Sequence, residues 1–260
     1  MKSFPKSFRT SSFLALAVAA ALAGCAATQD AGHSAMNMVK SATGQAQVVR
    51  QDVAPALYEV AYSPSEDVVY AVSAGNPKDP ASGVKSKLFK LDPETLAVKA
   101  EIELPKPGYG LALDDEAHRL YIVDTRGGTL MVFDTTVGQV TSSVTMPPVL
   151  DAQGKPEKIE YREIVVDKAN HRLYLPAMSY HDSKLQVVNL ETLTVERTIP
   201  GFNFGATGIS MDSGAGKLYV SNLMGQLFVV DIGTLAITDR FEVQGDQLLN
   251  LVVDHDNKRL

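Results

Sequence analysis

The chain has 260 residues, of which 45% are hydrophobic, so it can bury a sizeable core and is not a disordered protein. Its net charge of −6 argues against a surface that attracts nucleic acid or anionic lipid by charge alone. With one cysteine and no tryptophan, it can form no internal disulfide, no cysteine-based zinc site and no tryptophan-derived cofactor.

The first 25 residues are typical of a bacterial lipoprotein signal peptide. Lys2, Lys6 and Arg9 precede an apolar run of roughly a dozen residues, which is too short to span a bilayer. The run ends in LAGC at residues 22–25, which resembles the lipobox of bacterial lipoproteins, in which Cys25 would be lipidated. The alternative is a plain secretory signal with an incidental cysteine. Removing these residues leaves 21 basic against 30 acidic residues, a net charge of −9.

A lipidated Cys25 predicts that the membrane is contacted through the lipid anchor only. Ala26 is not the aspartate that resembles an inner-membrane retention signal. We therefore expect the protein on the periplasmic side of the outer membrane of a Gram-negative bacterium. Residues 26–50 are small and polar with little periodicity, and they predict a flexible tether to a domain at 51–260.

One pattern then occurs four times. Its copies start at residues 58, 109, 162 and 207 with YEVAYSPSEDVVYAV, YGLALDDEAHRLYIV, REIVVDKANHRLYLP and TGISMDSGAGKLYVS. Each copy predicts an apolar strand, a turn rich in Asp, Ser, Asn or Gly, and a second strand centred on a tyrosine. These blade tyrosines are Tyr70, Tyr121, Tyr174 and Tyr219, at spacings of 51, 53 and 45 residues.

A third strand follows each tyrosine strand and ends in a residue that favours tight turns. These residues are Asp92, Asp134, Asn189 and Asp231. A fourth, more polar strand completes the unit. Four short strands in each unit of roughly 40–50 residues indicate an all-β fold, a β-propeller of four-stranded blades. A β-sandwich would not repeat four times in register.

A fifth unit starts at LVVDHDNKRL, and the chain ends before the tyrosine expected near position 261. We expect about four and a half blades and a C-terminally incomplete domain, because an unclosed ring exposes the apolar faces of its end blades. A seven-bladed ring would need on the order of 100 more residues at this period.

The repeat resembles the YVTN-type β-propellers, through LYIV, LYLP and LYVS. The stretches YEVAYS, KLFKLDPETLAV, YREIVVDKANHRLY and ATGISMDSGAGKLYVSN are similar to the YncE-like periplasmic seven-bladed propellers. The resemblance covers about residues 55–260 and implies this fold and the periplasm. For activity it implies several possibilities, because relatives include binding proteins, lactonases and redox subunits, and some YncE-like proteins are associated with DNA binding.

Ligands of propellers meet the openings of the central channel, near the starts of the inner strands. The first two positions of these strands form two columns: Tyr58, Tyr109, Arg162, Thr207 and Leu249, and next to them Glu59, Gly110, Glu163, Gly208 and Asn250. Arg162 can hold a carboxylate or phosphate by its fork of donors. Glu59 and Glu163 can bind a cation or serve as a general base. Alternatively, these charged groups pair with one another and hydrate the channel.

Loops supply the remaining candidates. SYHDSK, residues 179–184, predicts an exposed loop, with ligand contact by Tyr180 or His181 as the alternative. A lone His181-Asp182 pair gives at most two metal ligands, so no metal site is predicted. The connection 200–208 places Asn203 near the channel mouth, and 146–162 is the longest polar connection.

His118 and His171 each lie three residues before a blade tyrosine, which predicts turn residues of the repeat.

The sequence favours a non-enzymatic, monomeric module without a cofactor that binds an envelope protein or a small ligand. The first alternative is a lactonase-like hydrolase, in which Glu59, Glu163, Asn203 or Asn250 holds a metal or activates water. It requires three or more such groups to converge on one point. The second alternative is binding of single-stranded DNA, which requires a basic groove with exposed aromatic side chains.

Overall fold

A computed structural model describes residues 48–76, 78–245 and 247–260. The predicted signal peptide, its Cys25 and most of the predicted tether lie outside these residues. Across the described ranges the chain contains seventeen β-strands and one three-residue 3-10 turn, Pro80–Ser82. In these same ranges, no helix is long and apolar enough to cross a membrane.

The strands form four antiparallel sheets, in which neighbouring strands follow one another along the chain except that β9 of the third sheet pairs with β11. The first sheet contains β1 (Leu57–Ser63), β2 (Val68–Ser73), β3 (Lys87–Leu91) and β4 (Val98–Glu103). The second contains β5 (Leu111–Asp114), β6 (Arg119–Val123), β7 (Thr129–Asp134) and β8 (Gln139–Thr145). The third contains β9 (Ile159–Tyr161), β10 (Val165–Asp167), β11 (Arg172–Ser179), β12 (Lys184–Asn189) and β13 (Val195–Ile199). The fourth contains β14 (Ala206–Asp212), β15 (Lys217–Asn222), β16 (Gln226–Asp231) and β17 (Ala236–Glu242).

These sheets are four consecutive blades of a β-propeller, which confirms the predicted fold class. Apolar side chains of adjacent blades share their cores. Tyr70 and Leu88 of the first blade pack in one cluster with Leu120 and Phe133 of the second. Equivalent clusters join the second blade to the third and the third to the fourth. The blades are therefore stacked face to face, and burial of their flat sides is the main source of stability.

The backbone repeats as regularly as the sequence. The residue three positions before each blade tyrosine adopts the left-handed conformation, with φ of 50°, 54°, 53° and 66° at Asp67, His118, His171 and Gly216. Aspartate, histidine and glycine tolerate this conformation better than most residues. The interpretation of His118 and His171 as turn residues is confirmed.

The turn between the third and fourth strands is built by the predicted Asp or Asn. The Asn189 side-chain oxygen accepts hydrogen bonds from the backbone N–H groups of Glu191 and Thr192, both at 2.9 Å. The corresponding aspartates accept backbone N–H groups in the same way at Asp92, Asp134 and Asp231.

The inner strands are irregular near their starts. The β1–β2 register shifts between Leu57 and Glu59, and the β14–β15 register shifts between Ala206 and Ile209. In the third blade the inner strand is split, because β9 and β10 both pair with β11 and leave residues 162–164 outside the ladder. Such bulges re-aim side chains. The predicted column residues of the first, third and fourth blades coincide with these interruptions.

Glycines allow adjacent inner strands to approach closely at this level. A Cβ atom added to Gly110 would lie 2.7 Å from the carbonyl oxygen of Arg162 in the next blade. One added to Gly208 would lie 2.5 Å from Ser221 Oγ and 3.0 Å from the carbonyl oxygen of Leu249. Because the obstacles include rigid backbone, these two positions require glycine.

The fifth unit lies along the fourth blade without forming a regular strand. Thr207 Oγ1 donates to the carbonyl oxygen of Leu249, at 3.3 Å, and Val253 N–H donates to Ser210 Oγ, at 3.2 Å. A bridge between Asp254 and Arg259 is the only β-pairing of residues 248–260 within the described chain. The inner strand predicted here lacks a ladder partner along most of its length.

We predict that Gly110→Ala destabilises the protein by about 1–3 kcal/mol, because the inner strands must separate to admit the methyl group. Denaturant unfolding measures the change. The matched control is Gly214→Ala in an open turn, where the added Cβ would lie 3.5 Å from Asp212 Oδ1. Equal effects of the two substitutions would contradict close packing at the axis.

Candidate functional site at the channel mouth

One end of the blades carries the bulged starts of the inner strands, the loops between second and third strands, and the connections between blades. We call this end the mouth. Hydrogen bonds to the backbone join its segments. The Tyr161 N–H donates to the carbonyl oxygen of Thr125 at 3.1 Å, and the Thr125 Oγ1 hydroxyl donates to the carbonyl oxygen of Tyr161 at 2.7 Å. Side chains at the mouth are therefore mounted on a fixed frame.

Three predicted site residues from three blades meet there. The rings of Tyr58 and Tyr109 pack edge to face, with centroids 5.1 Å apart and planes at 74°. Arg162 Nη1 donates a hydrogen bond to the Tyr58 hydroxyl at 3.3 Å. Tyr58 remains 41% exposed. The structure thus assembles an aromatic and cationic cluster from positions far apart in the sequence.

The guanidinium of Arg162 is largely occupied. Its Nη2 donates to Glu160 Oε2 at 2.6 Å, and the Glu160 side chain is only 8% exposed. Arg162 Nε is enclosed and has no hydrogen-bond partner among the described residues. Glu160 therefore takes the role of ion-pair partner that sequence analysis considered for Glu59 and Glu163.

The exposed cation of the cluster is Arg126, in the loop after β6. Its side chain is 60% exposed, and its Nε lies 3.9 Å from Glu160 Oε1. Its backbone N–H donates to the buried carboxylate of Asp124 at 3.1 Å. Arg126 and Glu160 were not among the site residues predicted from the sequence. The sequence feature that points to Arg126 is that it is the only basic residue of the short DTRGGT loop.

Tyr109 links the aromatic and charged parts of the mouth. Burial raises the pKa of its hydroxyl, while the positive charges of Arg126 and Arg162 act in the opposite direction. Its hydroxyl forms no hydrogen bond with any residue that the structure describes, and the residue is half-buried. A neutral hydroxyl donor is therefore available beside an exposed guanidinium.

Glu59 and Glu163 are two half-buried carboxyl groups that do not belong to this cluster. Burial raises the pKa of Glu163 to about 8, and the negative charge of Glu59 adds to this shift. The backbone N–H of Ile209 donates to Glu163 Oε2 at 3.0 Å, and this hydrogen bond opposes the shift. Burial raises the pKa of Glu59 to about 7. Partial burial therefore disfavours the charged form of both carboxyl groups, and at Glu163 the charge of Glu59 adds to this effect.

The candidate residues in the loops do not join this cluster and have other partners. The exposed Tyr180 ring packs against Phe204, with centroids 5.8 Å apart. Asn203 Nδ2 donates to Gln226 Oε1 at 2.8 Å. Asn250 Oδ1 accepts the N–H of its own neighbour, Leu251, at 2.6 Å.

His181 is exposed, and its imidazole forms no hydrogen bond with the described residues. Across the described ranges, no three His, Cys, Asp or Glu side chains are grouped so that they could hold a metal ion. The candidate metal-holding residues Asn203 and Asn250 are each engaged in local contacts instead.

Comparison with known proteins agrees with this architecture. The uncharacterized protein YncE of Salmonella typhi is 26% identical over 202 residues, which cover 76% of this chain and 55% of that protein. YncE of Escherichia coli K12 is 26% identical over 203 residues, with 77% and 55% coverage. The chain is a YncE-like β-propeller. It spans about half the length of these YncE proteins, and no protein-family model matches it.

A solved structure shares the fold. Hydrazine synthase of Kuenenia stuttgartiensis superimposes with a TM-score of 0.55, over 72% of this YncE-like chain and 49% of the other. At 12% sequence identity the likeness concerns the fold alone.

The raised pKa of Glu163 predicts how stability depends on pH. The pKa of Glu163 is raised on folding. Its contribution to the free energy of unfolding is therefore intact below about pH 4.5 and is lost as pH rises towards 8. We expect Glu163→Gln to leave stability unchanged near pH 4.5 and to stabilise the protein by on the order of 1–3 kcal/mol near pH 9. Thermal unfolding across this range measures it.

Glu191→Gln is the control for this experiment, because Glu191 is exposed on an outer turn. It should leave the pH profile unchanged. A Glu163→Gln profile parallel to that of the wild type would contradict the assignment of a protonated carboxyl.

Proposed function

We propose that this YncE-like propeller is a non-enzymatic binding protein, lipid-anchored on the periplasmic side of the outer membrane. Its ligand, a small molecule or a segment of an envelope protein, binds at the mouth through a carboxylate or phosphate group. The observation that carries this proposal is the exposed guanidinium of Arg126. Arg126 shares the Glu160 carboxylate with Arg162, which donates to Tyr58 of the Tyr58–Tyr109 ring pair.

The chemistry of the mouth supports an anionic group. The two acids nearest to Arg126, Asp124 and Glu160, are buried, whereas the guanidinium projects into solvent. A ligand oxygen bound by Arg126 can also accept a hydrogen bond from the free hydroxyl of Tyr109. The exposed aromatic edge of Tyr58 supplies apolar contact area at a low cost in side-chain entropy.

The hydrolase alternative has less support. It needs three or more carboxylate or amide groups directed at one point, whereas the amides of Asn203 and Asn250 serve local contacts. A binding role requires only the mouth cluster and the rigid blades behind it.

Arg126→Gln tests the proposed site. We expect at least one of citrate, succinate, inorganic phosphate and an acidic peptide to raise the melting temperature of the full chain. Arg126→Gln should weaken the binding of that anion about tenfold. Arg197→Gln, which removes an exposed guanidinium from β13, should bind normally.

Failure of every anion to bind would overturn the proposal, as would equal losses in the two variants. Tight binding of oligothymidine with no effect of the small anions would instead favour the DNA-binding alternative.

Cys25→Ala tests the anchor. In a Gram-negative host, we expect the wild-type chain to incorporate labelled palmitate and to fractionate with outer membranes. The variant should incorporate none, because the thiol that receives the lipid is missing. A wild-type chain that is released unlabelled into the periplasm would indicate a plain secretory signal instead.

A further inference from the structure

Two segments of the third blade depart from the repeat. The connection that leads into this blade contains MPPVLDAQGKPEK, residues 146–158, and the loop between its second and third strands is SYHDSK, residues 179–184. Repeat proteins place their binding surfaces in such departures more often than in the repeated strands.

The connection is an ordered excursion. Leu150 and Pro156 form a β-bridge, and Asp151 Oδ1 accepts the N–H groups of Gln153 and Lys155, both at 2.8 Å. The preceding Val149 is buried in the core shared by the second and third blades. The tip of the excursion is therefore held in one position.

A buried ion pair joins the excursion to the second segment. Lys184 Nζ donates to Glu157 Oε2 at 2.9 Å, and these side chains are 14% and 7% exposed. Ser179 Oγ donates to the other oxygen of Glu157 at 3.1 Å. Burial of two charges has a substantial desolvation cost, so this contact fixes geometry more than it adds stability.

The two segments enclose an open cleft with a volume of about 470 Å³. Small-molecule sites usually occupy about 300–1,000 Å³. The walls that matter for recognition are Leu150, Gln153, Glu157, His181, Lys184 and Pro200.

The carboxylates of the cleft already have partners. Glu157 is paired with Lys184, and Asp182 accepts the backbone N–H groups of Gly201 and Asn203, at 3.1 and 3.2 Å. Asp151 is occupied by the turn that it stabilises. The cleft is therefore not a set of free negative charges.

The remaining polar groups of the cleft include both hydrogen-bond donors and acceptors. The His181 imidazole and the Gln153 amide both donate and accept hydrogen bonds, and both residues are exposed. Lys184 Nζ donates to Glu157 and to the carbonyl oxygen of Asp182, which leaves one of its three N–H groups. Leu150 and Pro200 add apolar surface beside these groups.

We propose that this cleft is a second binding site, for a neutral polyhydroxylated ligand such as a sugar unit of a glycan. Each hydroxyl of such a ligand donates and accepts, which matches the donor and acceptor atoms of His181 and Gln153 and the remaining donor of Lys184. The C–H faces of a sugar ring fit against Leu150 and Pro200. None of the residues that line the cleft belongs to the anion-binding cluster of Arg126, Tyr58 and Tyr109.

The test is titration of the full chain with glucose, N-acetylglucosamine, cellobiose and tri-N-acetylchitotriose, followed by calorimetry or ligand-observed NMR. We expect at least one sugar to bind, and His181→Ala and Gln153→Ala each to weaken it by on the order of tenfold. Gln139→Ala, which removes an exposed amide from β8, should leave binding unchanged. The melting temperature of each variant verifies that it folds.

Three results would overturn the proposal. The first is that none of the four sugars binds. The second is that a sugar binds equally well to His181→Ala and Gln153→Ala. The third is that spermidine binds in the cleft and no sugar does, because the carboxylates would then act as free charges.

Discussion

Face-to-face packing of successive sheets is the constraint on which the rest of the structure depends. Each pair of neighbouring blades buries a common apolar cluster, and the fully buried tyrosines Tyr70, Tyr121 and Tyr174 contribute to these clusters. At the axis the inner strands approach until Gly110 and Gly208 admit no side chain. A frame packed this tightly can hold irregular segments at its end without losing their geometry.

Those irregular segments carry the chemistry. The inner strands leave their ladders at one common level, and there Tyr58 and Arg162 meet across blades. In the third blade, departures from the repeat also create a cleft closed by the Glu157–Lys184 pair. The regular strands specify the scaffold, whereas the two candidate binding regions lie where the regularity stops.

Local signals made the fold predictable from the sequence. The tyrosine strands, the Asx turns and the left-handed residues before each tyrosine are set by neighbours along the chain. The position of the two columns at the starts of the inner strands was also predictable, because the columns follow the repeat. The contacts of the individual side chains were not predictable, because they depend on side-chain directions at bulges and in loops. Examples are the Arg162–Glu160 pair, the exposed Arg126 and the contact of Asn203 with Gln226.

A crystal structure of the full chain tests the central claim most directly. The account predicts consecutive four-stranded sheets around one axis, with the Tyr58 ring against Tyr109 and the Gly110 Cα against the Arg162 carbonyl. It would be contradicted if the strands that carry Tyr70, Tyr121, Tyr174 and Tyr219 were joined in one continuous sheet or sandwich.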